Sequence, residues 1–139
     1  MKVFVTGVAG QLGYDVVNEL CSRKHEVIAS DVIGEWNGNV PYVSLDITDA
    51  QAVERVILDA APDVIVHCAA WTAVDAAEDE SNQGKVKAIN VAGTQNMANA
   101  AKRVNAKMVY ISTDYVFDGQ GTEPWLPDCK EYAPLNIYG

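Results

Sequence analysis

The sequence has few cysteines, few cations and no long apolar run. Its three cysteines, Cys21, Cys68 and Cys129, are an odd number without a Cys-x-x-Cys pair, which argues against a disulfide scaffold or a structural zinc site. The 10 basic residues face 19 acidic ones, so the net charge is −9 and neither nucleic acid nor an anionic membrane is expected as a partner. The short apolar run at the N-terminus cannot form a signal peptide or a membrane span, so a cytoplasmic location is expected.

Short β-branched segments instead alternate with helical patterns along 139 residues, a length typical of one domain. The strands are predicted at residues 3–5, 27–29, 42–45, 64–66 and 108–111. Because they are continuously apolar, they should pair in parallel with helices on both faces and right-handed crossovers. We therefore predict an α/β fold: a doubly wound, Rossmann-like parallel sheet with strand order 3-2-1-4-5.

Helical patterns separate these strands. Apolar residues spaced four apart predict a first helix over residues 12–20. Thr48 and Gln51 have the spacing of a capping box, so a second helix should begin there. A long helical region follows the fourth strand, with a break near residues 80–81 and an end near residue 104.

Gly7, Gly10 and Gly13 are spaced three apart between the first strand and the first helix. Backbone without Cβ atoms can turn tightly and lets a pyrophosphate approach the N–H groups of the helix start, where the helix dipole favours an anion. We therefore predict a dinucleotide site at this turn, with Gln11 and Leu12 beside it. A plain turn followed by a solvated acidic residue is the alternative.

Two acidic residues follow the next strands. Asp31 lies 18 positions after Gly13, close to the spacing at which a carboxylate reaches the ribose hydroxyls of NAD. Because a carboxylate would repel a 2′-phosphate, Asp31 favours NAD(H) over NADP(H) as cofactor. Asp46, with Ile47 beside it, follows the third strand and is either a turn former or a hydrogen-bond acceptor for the adenine amino group.

Four segments carry a resemblance to a known family. The glycine turn reads Gly-x-x-Gly-x-x-Gly, residues 67–78 read HCAAWTAVDAAE, and residues 112–119 and 134–139 read STDYVFDG and PLNIYG. Together they resemble the dTDP-4-dehydrorhamnose reductases of the extended short-chain dehydrogenase/reductase family. The resemblance spans the whole chain, and the last two segments are its most specific part.

This resemblance implies the reduction of a nucleotide-linked 4-keto sugar by NAD(P)H, with the sugar nucleotide as substrate. It makes Tyr138 the catalytic tyrosine, which donates a proton to the developing alkoxide. It also makes Thr113 the Ser/Thr of the Ser/Thr-Tyr-Lys triad, hydrogen-bonded to the same oxygen. Asp114 would reach the sugar.

The resemblance also assigns the fourth-strand segment and one helical residue. Ala69 and Ala70 would pack close to the cofactor, while Trp71 and Thr72 would line its nicotinamide side. Asn90 would support the active site from an Asn-x-x-Gly-Thr motif. The alternative for Asn90 is a core asparagine whose hydrogen bonds are satisfied by the backbone.

The sequence departs from the family pattern at several positions. His67 replaces the usual asparagine of the fourth-strand motif, and a satisfied core histidine is expected there rather than a catalyst. Trp71 stands where these reductases carry histidine or tyrosine. Residues 78–80 are acidic, but a solvated helix face is expected rather than a metal ligand set, so no metal site is predicted.

The lysine of the Tyr-x-x-x-Lys motif would fall three residues beyond Gly139. Residues 1–139 are therefore expected to form a partial NAD(P)-binding Rossmann-like domain of an enzyme about twice as long, without its C-terminal substrate-binding region. The chain alone is expected to be inactive. A homodimer is compatible with the resemblance.

Other functions remain open at this point. A 4,6-dehydratase is disfavoured, because Asp114 is followed by Tyr115 and the second carboxylate that dehydration needs is missing. Another extended short-chain nucleotide-sugar epimerase or reductase is one alternative. A non-catalytic dinucleotide-binding subunit that resembles the regulatory subunit of methionine adenosyltransferase is another.

Overall fold

A computed structural model describes all residues from 1 to 139. Its five strands form one parallel sheet in the order β3-β2-β1-β4-β5, which confirms the predicted fold class and strand order. β1 lies at the centre and pairs with both β2 and β4. The strands are β1 (Lys2–Thr6), β2 (Glu26–Asp31), β3 (Tyr42–Ser44), β4 (Val64–His67) and β5 (Lys107–Tyr110).

Helices connect β1 to β2, β3 to β4 and β4 to β5, whereas a loop without a helix joins β2 to β3. The long helical region after β4 has four parts: the short α3 is followed by α4, which passes into a π-helical turn and then directly into α5. None of the helices combines the length and apolar character that crossing a lipid bilayer requires. The helices are α1 (Gln11–Ser22), α2 (Ala50–Ala60), α3 (Val74–Ala77), α4 (Glu80–Lys87), the π turn (Ala88–Gly93) and α5 (Thr94–Arg103).

The core consists of two layers, one on each face of the sheet. Val3 and Val5 of β1 pack with Val17 of α1 on one face. Phe4 points to the other face and packs with Ile57 of α2 and with residues of α5. All of these side chains are buried. Because both faces of the central strands are covered, their sequences are continuously apolar rather than alternating.

The start of α2 differs from the prediction. The N-cap is Asp49, whose Oδ1 accepts hydrogen bonds from the N–H groups of Gln51 and Ala52, each at 3.0 Å. Thr48 instead donates its hydroxyl to Asp46 Oδ1 at 2.7 Å. The predicted Thr48–Gln51 capping box is therefore wrong, because Asp46 engages the Thr48 hydroxyl and the next residue caps the helix.

The segment after β5, residues 111–139, contains one 3₁₀ turn (Asp114–Val116) and no further strand. Phe117 stacks on Trp125 with ring centroids 4.5 Å apart. The Ile137 N–H donates to Glu78 Oε1 at 2.8 Å, which ties the end of this segment to the residue after α3. This contact helps to place Tyr138 beside the carboxyl ends of the strands.

Candidate active site

A cleft of about 920 Å³ opens at the carboxyl ends of the strands. In a doubly wound sheet, ligands bind at this edge, where successive connections leave to opposite faces. The cleft wall takes residues from the loops after all five strands. Of the residues predicted for the site, it includes Gly7, Gly10, Gln11, Leu12, Gly13, Asp31, Asp46, Ile47, Ala69, Ala70, Thr72 and Tyr138.

The glycine turn leaves no space for side chains at its first position. Gly7 has φ +72°, and a Cβ atom there would lie 2.6 Å from the backbone nitrogen of Ala69. Gly10 is the N-cap of α1 and offers no side-chain acceptor to the first N–H groups of the helix. Those N–H groups have no partner within the helix, so they are available to an anion in the cleft.

Asp31 ends β2 in the cleft wall and holds the glycine turn. Its Oδ2 accepts a hydrogen bond from Ala9 N–H at 2.9 Å, and its Oδ1 accepts one from Val32 N–H at 2.7 Å. The carboxylate thus has a structural partner on each oxygen, in addition to the ribose contact predicted for it. Its role towards a ribose stays a prediction.

Asp46 and Ile47 both face the cleft but in different ways. Asp46 Oδ1 accepts hydrogen bonds from the N–H and hydroxyl of Thr48, as a turn former does. Ile47 is buried and packs on the long helical region, since a Cβ atom at Gly93 would lie 2.7 Å from its side chain. The proposed hydrogen bond from Asp46 to an adenine amino group stays a prediction.

His67 lies at the end of β4, where the ring is 1% exposed. Its two ring nitrogens lie 2.8 Å from Thr6 Oγ1 and 3.3 Å from Thr94 Oγ1. Burial lowers the pKa of His67 to about 4, so the imidazole is neutral at pH 7. The expectation that His67 is a core histidine whose ring nitrogens both have hydrogen-bond partners is confirmed.

Asn90 holds the backbone of Trp71 with both ends of its amide. Its Oδ1 accepts from the Trp71 N–H at 2.8 Å, and its Nδ2 donates to the Trp71 carbonyl at 3.0 Å. Asn90 lies within the π turn, a distortion that is frequent at functional sites. The backbone therefore satisfies the hydrogen bonds of the Asn90 amide, as the alternative interpretation expects, and the contact fixes the segment that follows β4. The supporting role of Asn90 in the active site stays a prediction.

Replacing Asn90 with aspartate should lower the free energy of unfolding by about 1–3 kcal/mol, because one carboxylate oxygen would face the Trp71 carbonyl with no donor between them. Urea unfolding measures this change. Asn99→Asp is the matched control, since Asn99 is exposed on α5 and only accepts from the Gln95 side chain. A loss of equal size in both variants would contradict the role of the Trp71 contact.

The Trp71 side chain does not form part of the cleft wall, in contrast to the expectation that it lines the nicotinamide side. Its Nε1 donates to the Ala73 carbonyl at 2.9 Å, and the Lys85 ammonium lies 5.5 Å from the ring centroid. These contacts hold the indole beside α4. Thr72 lines the cleft as expected.

The motif at residues 112–119 follows the end of β5. Ser112 lines the cleft, whereas Thr113 caps the 3₁₀ turn: its hydroxyl accepts from Tyr115 N–H at 3.2 Å and lies 3.4 Å from Asp114 Oδ1. Thr113 and the exposed Asp114 are outside the cleft wall in this structure. Their contacts with a sugar stay predictions.

Tyr138 lines the cleft and packs edge-to-face on Tyr115, with ring centroids 6.0 Å apart. Gly139 packs against the Tyr115 backbone, where a Cβ atom would clash with the carbonyl. The last two motifs of the sequence, residues 112–119 and 134–139, therefore lie against each other, and Tyr138 brings the second of them to the cleft.

Lys85 of α4 is the only lysine or arginine in the cleft wall, and the sequence pattern did not single it out. Three carboxylates, Asp15, Asp31 and Asp46, line the cleft as well. A lysine on a helix that is almost entirely polar carries no periodic signal. Ser112 was detectable in principle, because it directly follows the predicted fifth strand.

The acidic residues 78–80 serve local structure. Glu78 accepts from Ile137 N–H, and Asp79 caps α4 by accepting from the N–H and hydroxyl of Ser81. These Ser81 hydrogen bonds lower the pKa of Asp79. The structure groups no three His, Cys, Asp or Glu side chains at distances suited to a metal ion.

The parallel sheet, the glycine turn before α1 and the cleft at the strand ends define a Rossmann-like domain of the class that binds dinucleotides. A family model agrees with this class. The chain belongs to the family described as RmlD substrate binding domain, whose model matches residues 1–139.

Individual relatives agree with this family. The chain is 37% identical over 140 residues to a dTDP-4-dehydrorhamnose reductase of Mycobacterium tuberculosis, covering 99% of this chain and 41% of that protein. It matches the crystal structure of a dTDP-4-dehydrorhamnose reductase from Clostridium acetobutylicum with a TM-score of 0.86 and 40% identity, over 100% of this chain and 45% of the other.

A second solved structure is the dTDP-4-dehydrorhamnose reductase of Bacillus anthracis in complex with NADP. It matches with a TM-score of 0.85 and 38% identity, over 99% of this chain and 44% of the other. The chain thus spans less than half the length of these relatives. The resemblance inferred from these four segments is confirmed.

Proposed function

We propose that the chain forms the cofactor-binding and proton-donating part of an NAD(P)H-dependent reductase that converts the 4-keto group of dTDP-4-dehydro-L-rhamnose to a hydroxyl, giving dTDP-L-rhamnose. The observation that carries the proposal is the presence of Tyr138 in the same cleft as the glycine turn. A phosphate-binding turn alone would suit any dinucleotide protein, whereas a tyrosine hydroxyl at the far end adds a proton donor.

Two independent observations support the binding of a dinucleotide in the cleft. Side chains are excluded at Gly7, so the backbone forms a close turn at the N-terminus of α1. Ser30 Oγ lines the cleft, is buried, and has no hydrogen-bond partner within the chain. A buried hydroxyl without a partner is costly, so a ligand that bonds to it would be stabilised.

In the proposed arrangement, the first N–H groups of α1 hold the pyrophosphate and Asp31 accepts from the ribose hydroxyls. Ala69, Ala70 and Thr72 form the floor towards the nicotinamide end. When bound, the reduced dinucleotide supplies the hydride for the carbonyl carbon of the sugar. Tyr138 donates its hydroxyl proton to the carbonyl oxygen, and Thr113 orients that oxygen by a hydrogen bond.

The relatives support both the reaction and the cofactor class. The relatives cited above are named dTDP-4-dehydrorhamnose reductases, and the Bacillus anthracis structure is a complex with NADP. The tyrosine and the glycine turn both belong to this chain, of which these matches cover 99% to 100%. We further propose that residues 1–139 are the NAD(P)-binding part and that most contacts to the sugar nucleotide belong to the remaining length of such enzymes.

The direct test uses the full-length protein that carries this chain. Purified protein is incubated with NADH or NADPH and dTDP-4-dehydro-L-rhamnose, and loss of the reduced nicotinamide is followed by absorbance. Oxidation that depends on the sugar nucleotide supports the proposal. Dinucleotide binding without any turnover would contradict it and would favour a non-catalytic dinucleotide-binding subunit.

Asp31 should decide between the two cofactors. Replacing Asp31 with asparagine keeps an acceptor for the Ala9 N–H but removes the charge, so NADPH should gain roughly tenfold relative to NADH. Fluorescence titrations give the two dissociation constants. Glu35→Gln is the control, because this loop carboxylate is outside the main cleft and its loss should leave the ratio unchanged. If the ratio of the two dissociation constants is unchanged in Asp31→Asn, Asp31 does not discriminate between the riboses of the two cofactors.

A further inference from the structure

At the floor of the cleft, which His67 lines, the His67 ring links three elements of the fold. Its Nδ1 lies 2.8 Å from Thr6 Oγ1 at the end of β1, and its Nε2 lies 3.3 Å from Thr94 Oγ1 at the start of α5. The ring also stacks on Tyr110 of β5, with centroids 6.3 Å apart. His67 and Thr6 are each 1% exposed, so these bonds do not exchange freely with water.

The direction of each bond follows from counting hydrogens. Thr6 Oγ1 accepts a hydrogen bond from Ala69 N–H at 3.2 Å, so its own O–H is free to donate. The only acceptor that the structure offers to this buried hydroxyl is His67 Nδ1. If Nδ1 carried the proton, the Thr6 O–H would be left without an acceptor, which is costly in a buried site. The ring proton therefore lies on Nε2 and is directed to Thr94.

We propose that His67, in this Nε2–H form, is a positioning residue for the dinucleotide site: its Nδ1 orients the Thr6 hydroxyl, which holds the Ala69 N–H and thereby the cleft floor. Ala69 is also the residue whose nitrogen approaches Gly7 so closely that no Cβ atom fits. The hydrogen bonds that link His67 to Thr6 and Thr6 to Ala69 thus set the spacing between the cleft floor and the glycine turn.

The role rests on the proposed function, because it requires a dinucleotide in the cleft. Burial keeps the ring neutral at pH 7, as the acceptor role of Nδ1 demands, since an imidazolium would present a donor to Thr6. The groups hydrogen-bonded to the ring are the two threonine hydroxyls, which do not titrate.

The test compares dissociation constants for NADH and NADPH in the full-length protein. His67→Phe keeps an aromatic ring, somewhat larger than the imidazole, but removes both bonds, and Thr6→Val removes the hydroxyl, so each should weaken binding about tenfold. His67→Asn offers a carboxamide oxygen to Thr6 and should recover most of the affinity. Thr94→Val, which breaks only the Nε2 bond, should stay within about twofold of the wild type.

The double variant His67→Phe/Thr6→Val should bind no more weakly than either single variant, because both act through the same bond. Folded His67→Phe with wild-type affinity would overturn the role. If that variant does not fold, the ¹⁵N shifts of the wild-type ring decide: a protonated Nδ1 at pH 7 would overturn it, and a protonated Nε2 supports it. Absence of dinucleotide binding by the wild type would overturn the proposed function itself, and the positioning role with it.

Discussion

Replacing Tyr138 with phenylalanine should lower the sugar-nucleotide-dependent oxidation of NADH roughly 10²- to 10⁴-fold, because the variant lacks the hydroxyl that protonates the carbonyl oxygen. The dissociation constant for the dinucleotide should change by less than about twofold, since the ring that packs against Tyr115 and lines the cleft is retained. Steady-state kinetics of the full-length protein give kcat, and a fluorescence titration gives the affinity.

Tyr115→Phe is the matched control for this prediction. Tyr115 is the neighbouring tyrosine, it is outside the cleft wall, and a phenylalanine there preserves the edge-to-face contact with Tyr138. Its kcat should remain within a few-fold of the wild type. Wild-type turnover in Tyr138→Phe would remove Tyr138 from the reaction, whereas equal losses in both variants would attribute the effect to packing of the two rings.

The fold was predictable because its signals are local and mutually supporting. Val3, Phe4 and Val5 lie on one short strand yet pack into two different core layers, so the strand must be covered on both faces. Continuous apolar strands separated by helical patterns leave few topologies once right-handed crossovers are imposed. The strand order then follows, and the structure contains it.

The positions of cleft residues were predictable only where the backbone fixes them. The glycine turn and Asp31 are set by the strand ends that carry them, and both lie in the cleft wall. Trp71 and Thr113 are next to strand ends as well, but their side chains bond locally to Ala73 and to Tyr115. Such competition among nearby hydrogen-bond partners cannot be read from spacing.

The cap of α2 shows the same limit at a helix start. Asp46, Thr48 and Asp49 all carry suitable oxygens, and sequence spacing favoured Thr48. The choice depends on Asp46, which engages the Thr48 hydroxyl and leaves Asp49 to cap. Lys85 was missed for a different reason: its place in the cleft wall results from the packing of α4, a helix without a marked apolar stripe.

We expect a substitution at Gly7 to have the largest combined effect on the free energy of unfolding and on dinucleotide binding. Gly7→Ala should lower the free energy of unfolding by roughly 3 kcal/mol, since a left-handed alanine costs about 1–2 kcal/mol and a forced contact costs a similar amount again. The contact is with backbone, because the new Cβ atom would lie 2.6 Å from Ala69 N and 2.7 Å from the Cys68 carbonyl carbon. Urea unfolding and dinucleotide titration measure the two consequences.

Gly10→Ala is the control that distinguishes the effect of this clash from the effect of losing any glycine in the turn. Gly10 has an ordinary φ of −83°, and a Cβ atom there would meet only the Gly7 carbonyl oxygen, at 3.3 Å. Its unfolding free energy should therefore fall by less than about 1 kcal/mol. Because Gly7 and Ala69 form opposite sides of the same close approach, Gly7→Ala should separate the turn from the floor and weaken dinucleotide binding at least tenfold. A Gly7→Ala protein as stable as Gly10→Ala, with unchanged dinucleotide affinity, would show that the turn tolerates a wider spacing than the structure has.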